Sequence, residues 1–317
     1  MLMERVRTAP CTEIEVPLPA DLRHLGASTR ATLAGNPDGP VIVVLGGISG
    51  NRFVCHDGEG GAGWWPGFVG PGGAVDPERH RVLGLDFAAD AAGRIAPSTD
   101  EQARILCAVL DAFGIERADA IVGASYGGMV ALSLAQHYPD RVGRLVVISA
   151  PAQPHPAATA IRELQRRVVD LGLATGQGRE ALSIARGMAM LTYRTQEEFA
   201  ERFTGGLPDC DPLGPSEPGA YLHARGSAFH AVMSPERFLS LSASIDRHKV
   251  DPARIDCPVL LIGATTDLLV PPEQMEDLAD ALPDAELHLF DCLYGHDMFL
   301  KEPAMIGALA APFLEAE

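Results

Sequence analysis

The stretch Ile121-Val-Gly-Ala-Ser-Tyr-Gly-Gly-Met129 limits the fold more than any other part of the chain. An apolar run enters the pattern Gly-x-Ser-x-Gly, here Gly123-Ala124-Ser125-Tyr126-Gly127, and residues 130–135 then carry a broad apolar helical face. A strand that turns sharply into a helix with serine at the bend is a nucleophile elbow. Gly123 and Gly127 have no side chains to clash where strand and helix come this close. The hydroxyl then points out of the sheet, near the positive end of the helix. The same residues also fit a tight strand-to-helix turn with a capping serine, so the rest of the chain must decide.

An elbow needs a parallel sheet behind it. Residues 41–45, Val-Ile-Val-Val-Leu, form a short β-branched run suited to a strand buried on both faces. Residues 81–87, 118–122 and 144–149 read as further strands. A helix over 101–113 follows the capping pair Ser98-Thr99. Alternating strand and helix from 81 to 149 predicts an α/β fold with a mostly parallel sheet covered on both faces. Residues 12–18 and 31–35 read as edge strands ahead of a turn at 36–40.

From 151 to 249 the pattern changes to helical segments at 157–171, 179–191, 196–203 and 235–245, with a Pro- and Gly-rich loop at 205–219. This predicts an all-helical lid (151–249) inserted into a core made of residues 1–150 and 250–317. The sheet resumes at 258–263. A helix at 272–282, a strand at 285–290 and a last helix at 298–314 complete the chain.

A serine hydroxyl is a poor nucleophile until a base takes its proton, and that base is usually a histidine held by a carboxylate. In the elbow fold the order along the chain is Ser, then Asp or Glu, then His. Asp267 lies in Ala264-Thr-Thr-Asp-Leu-Leu-Val-Pro-Pro272 and His296 in Tyr294-Gly-His-Asp-Met298. Both fall just past strand ends, where open α/β sheets gather their sites. Singly, Asp267 also fits a turn cap before Pro271, and His296 a neighbour of a helix N-cap. Jointly with Ser125 they predict a catalytic triad. The loop Gly46-Gly-Ile-Ser-Gly50 lacks the signature of a P-loop and the spacing of a dinucleotide fingerprint. Backbone amides of Ile48 (or its neighbour Gly47) and Tyr126 are therefore expected to form an oxyanion hole, each contributing roughly 3 kcal/mol. A plain tight turn is the alternative for this loop. Trp64-Trp65-Pro66 sits in an irregular segment, 57–73, that reads as packed tryptophans or as a pocket wall. His288 reads as structural, and His248 as a surface residue or lid anchor.

A net charge of −17 argues against a phosphate backbone as partner, since that needs a basic face. Charged residues are 21% of the chain, too few for disorder, and 47% apolar residues suffice for a large core. No run reaches membrane-spanning length, and residues 1–7 lack the apolar centre of a signal peptide. Six scattered cysteines (11, 55, 107, 210, 257 and 292) have no paired metal spacing, and Cys107 and Cys257 read as core thiols. A reducing, cytoplasmic setting without metal or membrane is the expectation.

The chain from Val41 onward resembles the homoserine O-acyltransferases of the α/β-hydrolase superfamily. The resemblance is carried by Gly46-Gly-Ile-Ser-Gly50, Trp64-Trp-Pro-Gly-Phe-Val-Gly-Pro71, Leu83-Gly-Leu-Asp-Phe87, Gly123-Ala-Ser-Tyr-Gly-Gly-Met129, Thr192-Tyr-Arg-Thr195 and Tyr294-Gly-His-Asp-Met-Phe-Leu300. It implies transfer of an acyl group from acyl-CoA to the homoserine hydroxyl by a ping-pong route in methionine synthesis. Ser125 would be acylated, His296 would act as base then acid, and Asp267 would orient His296. Arg194 resembles the residue that grips the amino-acid carboxylate, where bidentate pairing supplies the physical reason. Asp297 resembles the residue that meets the ammonium, and Tyr221 is a further pocket candidate. Ordinary ion pairs or packed turns are the plain alternative for all three. Tyr126 stands where the family often has Met, and Gly46-Gly-Ile-Ser-Gly50 where it often has His-Ala-Leu-Thr-Gly. Both departures resemble the branch using succinyl-CoA rather than acetyl-CoA. A succinyl group needs a cation for its free carboxylate, and Arg162, Arg166 or Arg167 are the candidates. Serine is an alternative acceptor, since one methylene is worth only about 1–3 kcal/mol in a pocket. The resemblance also implies a homodimer through the lid. A serine hydrolase and a non-catalytic ligand receptor are the competing readings.

Overall fold

The computed structural model describes residues 11–56, 61–205, 211, 214 and 216–316. Cys210, most of the loop expected at 205–219, and the segment at 1–7 lie outside the described residues. The sheet contains β1 (Cys11–Pro17), β2 (Ser28–Gly35), β3 (Val41–Leu45), β4 (Arg81–Leu85), β5 (Ala120–Ala124), β6 (Leu145–Ile148), β7 (Val259–Ala264) and β8 (Ala285–Phe290). Their order is β1-β2-β4-β3-β5-β6-β7-β8. β1 and β2 pair antiparallel with their neighbours, and every pair from β4 to β8 is parallel.

The β-branched runs form central strands because both of their faces find apolar cover. In β3, Val43 and Leu45 join one buried cluster while Ile42 and Val44 join the other. Leu145 and Val147 against Val146 and Ile148 repeat that division in β6. Side chains alternate across a strand, so the two clusters are the two faces of the sheet. The first face is covered by α1 (Thr99–Ala112), α2 (Tyr126–His137) and α8 (Pro272–Ala281). The second is covered by Trp65, Phe68 and the C-terminal helices. Ser98 caps α1 in a reciprocal box with Glu101.

Between β6 and β7 the described residues hold α3 (Pro156–Ala174), α4 (Gly178–Tyr193), α5 (Gln196–Arg202), α6 (Glu217–Ala228) and α7 (Pro235–Asp246), and no strand. Among the described residues no helix is long and apolar enough to cross a membrane.

Two elements differ from the expectation. α6 falls partly where a loop was expected, and its two interior glycines hide it from a propensity reading. Gly226 is needed there, because a Cβ would stand 2.4 Å from the Ser183 carbonyl of α4. The expected last helix is two, α9 (Met298–Lys301) and α10 (Pro303–Glu315). Pro303 disfavours helical backbone at the residue before it, and Glu302 leaves the helix at φ −120°, ψ 48°.

Candidate active site

The elbow is formed by backbone contact. Ser125 stands between β5 and α2 at φ 54°, ψ −119°, a strained conformation for a residue with a Cβ. Its N–H donates to the Ile148 carbonyl, and the Gly127 N–H donates to Gly46 across the β3 loop. A Cβ on Gly127 would lie 2.4 Å from the Leu45 carbonyl oxygen, and one on Gly123 2.5 Å from that of Gly127. The strain is held because strand, helix and the β3 loop meet with no room for side chains.

His296 Nε2 lies 2.9 Å from Ser125 Oγ, and His296 Nδ1 lies 2.7 Å from Asp267 Oδ2. The other Asp267 oxygen accepts the N–H groups of Leu269 and Val270, so this buried carboxylate is fixed from three directions. Burial alone would depress the imidazole pKa. The charge and hydrogen bond of Asp267 outweigh it, and the His296 pKa is raised. This arrangement can draw a proton from the serine and return it to a leaving group.

Ser125 and His296 open into a cavity of about 220 Å³ between the sheet and the helical insertion. Gly47 and Ile48 line it beside the serine. Tyr126 is the first residue of α2, so its N–H has no acceptor within the helix and is available to an oxyanion. Trp64 forms part of the wall, with its indole N–H on the Asn51 carbonyl. Trp65 belongs to the core, 1% exposed, and donates to Phe299. Among the described residues no cluster of His, Cys, Asp or Glu is placed to hold a metal ion.

Residues 40–303 match the family model described as the alpha/beta hydrolase fold. The chain is 37% identical to a homoserine O-succinyltransferase of Xanthomonas campestris over 95% of its own length and 83% of that protein. The chain belongs to the homoserine O-acyltransferase family. It is also 30% identical to a homoserine O-acetyltransferase of Deinococcus radiodurans (89% of this chain, 84% of the relative). A serine O-succinyltransferase of Stenotrophomonas maltophilia is 30% identical (91% of this chain, 90% of the relative). In fold the chain is similar to esterase E22, with a TM-score of 0.83 at 18% identity over 97% of this chain and 100% of the other.

Within this O-acyltransferase, Asp297 lines the cavity, but the Arg194 expected at a substrate carboxylate does not. The Arg194 guanidinium is buried behind Asp297, donating to Asp297 Oδ2 at 2.6 Å and to Glu198 Oε1 at 3.1 Å. Burial acts against its charge, yet the bond and charges of its two carboxylates raise its pKa. Tyr221 also lies off the cavity lining, packed among Phe199, Phe203 and the Arg202 guanidinium. Tyr126 lies off the cavity lining. Its ring is buried against Phe87, and its hydroxyl is 2.5 Å from Ser244 Oγ on α7. Burial raises that phenol's pKa.

Of the three candidate arginines on α3, Arg162 lines the cavity while paired with Asp246 at 2.6 Å. Arg166 shares Asp246, and Arg167 is exposed. His248 is a buried anchor: its ring nitrogens lie 2.9 Å from Thr99 Oγ1 and 3.0 Å from the Pro151 carbonyl, and burial lowers its pKa to about 4. His288 lies beside Glu286 on β8. Cys107 is buried, whereas Cys257 is only partly so.

Sequence reasoning missed Arg186. It lines the cavity from α4, with its guanidinium 5.1 Å from the Tyr193 ring and 4.7 Å from the Phe229 ring. Among the described residues it has no carboxylate partner. Arg186, Ala189 and Tyr193 fall at i, i+3 and i+7, one face of a helix, and all three line the cavity. That spacing was the available signal, and the more conspicuous Tyr-Arg-Thr beside it drew the reading to Arg194.

Proposed function

We propose that the protein moves an acyl group from acyl-CoA, with succinyl-CoA the preferred donor, to the hydroxyl of L-homoserine through an acyl-Ser125 intermediate. One observation carries this reading. The cavity around Ser125 offers two guanidinium groups, Arg162 and Arg186, and one carboxylate, Asp297. A succinyl group and an amino acid together bring two carboxylates and one ammonium. An ester of neutral groups gives that set nothing to bind.

In the first half-reaction Ser125 Oγ attacks the thioester carbonyl while His296 takes its proton. The oxyanion is received by the amides of Tyr126 and Ile48. His296 then protonates the departing thiolate. In the second half-reaction His296 takes the proton of the acceptor hydroxyl, which attacks the acyl-serine, and Ser125 leaves with that proton. The product class belongs to methionine synthesis.

The acceptor's carboxylate and ammonium sit on one carbon, so their receptors must be neighbours. Arg186 packs on Tyr193, and Tyr193 lies 5.7 Å from the His296 ring that adjoins Asp297. We therefore assign Arg186 to the acceptor carboxylate, Asp297 to its ammonium, and Arg162 to the free carboxylate of the acyl group. A homodimer is part of the same proposal, supported by Leu164, Leu171, Ile184 and Leu191 exposed on α3 and α4.

The deciding assay follows free thiol from succinyl-CoA and acetyl-CoA with and without homoserine. Acceptor-dependent release supports transfer. Equal release without acceptor means hydrolysis, and no release from either donor means a receptor. Arg162→Met should lower kcat/KM for succinyl-CoA about 100-fold, as expected when a buried charge loses its partner, and leave acetyl-CoA nearly unaffected. Equal losses on both donors would remove Arg162 from the acyl site. Arg186→Met should raise the KM for homoserine by a similar factor while first-turnover thiol release keeps its rate.

A further inference from the structure

Gln165 is a buried polar side chain with no part in the triad chemistry. It is 3% exposed, it lines the cavity around Ser125, and its amide makes no hydrogen bond among the described residues. Buried polar groups are nearly always paired, because an amide taken out of water without a partner destabilises the fold. Neither amide atom is sealed inside protein, so the open space beside them is the cavity. A ligand entering that space can supply the missing partner.

The neighbours of Gln165 point to the kind of ligand. Arg162 stands one helical turn before it on α3, so both side chains leave the same face, and both line the cavity. The Arg162 guanidinium is only partly used. Its Nε donates to Asp246 Oδ1 at 2.8 Å and its Nη2 reaches Asp246 and Thr159, while Nη1 makes no hydrogen bond among the described residues. Asp246 does not cancel the charge, because it also pairs with Arg166. Two guanidinium groups share one carboxylate, and among the described residues no other acid pairs with either arginine. One cationic N–H and one neutral amide NH₂, a helical turn apart, match the two oxygens of a carboxylate. Phe238 and Ile245 of α7 add apolar wall suited to methylenes.

We propose that Gln165 binds substrate, its amide donating to one oxygen of the acyl group's free carboxylate while Arg162 Nη1 holds the other. This rests on the succinyl donor proposed above. It adds an uncharged residue that selects a dicarboxylic acyl group from both sides: a succinyl group pairs the amide, and an acetyl group leaves it unpaired in a closed site.

The test uses Gln165→Met, which keeps the length of the side chain and removes its polar atoms. Thiol release gives kcat/KM for succinyl-CoA and for acetyl-CoA at saturating homoserine. The succinyl-to-acetyl ratio should fall about tenfold in Gln165→Met. Gln165→Glu sets an acid where it can take the free Arg162 arm and repel the acyl carboxylate, and its ratio should fall about 100-fold. The thermal midpoint of ligand-free Gln165→Met should not drop, since the amide it loses had no partner. If both variants keep the wild-type ratio, losing activity equally on the two donors, Gln165 is a packing residue and the proposal is overturned. If the ratio holds while the KM for homoserine rises, the carboxylate it meets is the acceptor's, which overturns the proposal too. A wild type with no preference for succinyl-CoA would sink the donor assignment itself, and this inference with it.

Discussion

Replacing Ser125 by alanine should lower acyl transfer by on the order of 10⁶ in kcat, the size of loss seen when the nucleophile of a serine triad is removed. The fold should be unaffected. The Ser125 side chain has one hydrogen-bond partner, His296, and its backbone bond to Ile148 does not depend on the hydroxyl. Alanine meets the same positive-φ strain as serine, so thermal stability should change little. Acyl-CoA incubated with the wild type and quenched in acid should leave the acyl group on the peptide containing residue 125, and the alanine variant should carry none. A variant that kept the wild-type rate, or carried the label elsewhere, would rule out an acyl-serine route.

The elbow was legible because its demands are local. Two close backbone approaches require glycine at 123 and 127, a strained turn places Ser125 between them, and flanking apolar runs supply strand and helix. Asp267 and His296 were legible for a related reason, since each follows a short strand, β7 fully buried and β8 only partly, and open α/β sheets leave strand ends facing the site. The alternation of apolar residues between the two sheet faces in β3 and β6 likewise needs only the sequence.

The pocket cations were harder, because an arginine's role depends on which carboxylates share its space. Arg194 and Arg186 are eight residues apart, and nothing in either side chain separates them. What does is that Glu198 sits one turn from Arg194 and Asp297 arrives from the far end of the chain, while Arg186 faces two aromatic rings and, among the described residues, pairs with no acid. Tyr126 was opaque in the same way. Standing where the family often has Met, it pointed to the choice of acyl group, but a partner on α7 and the Phe87 ring turn the phenol into the joint between core and helical insertion. Helix α6 was missed because its glycines answer to packing against α4 rather than to helix propensity.

The second large effect belongs to Asp267→Asn, and hydrogen-bond direction sets it. Asp267 Oδ1 accepts from the Leu269 and Val270 amides, so an asparagine must keep its carbonyl oxygen there. Its NH₂ group then faces His296 Nδ1, which has to accept. The imidazole proton moves to Nε2, where it points at Ser125 and cannot take the serine's proton. A loss of about 10⁴ in kcat is expected from this wrong tautomer. The pH dependence should move as well. His296 works as a base only when neutral, so wild-type kcat/KM should fall as pH drops through the free-enzyme pKa of His296. Asp267 raises that pKa against the opposing effect of burial. Without the carboxylate, burial acts with less opposition and the pKa falls. The acid limb of the residual activity should therefore shift to lower pH even as the plateau drops. An acid limb that stayed where the wild type has it would mean that a group other than His296 controls the profile, and would remove Asp267 from the role of orienting carboxylate.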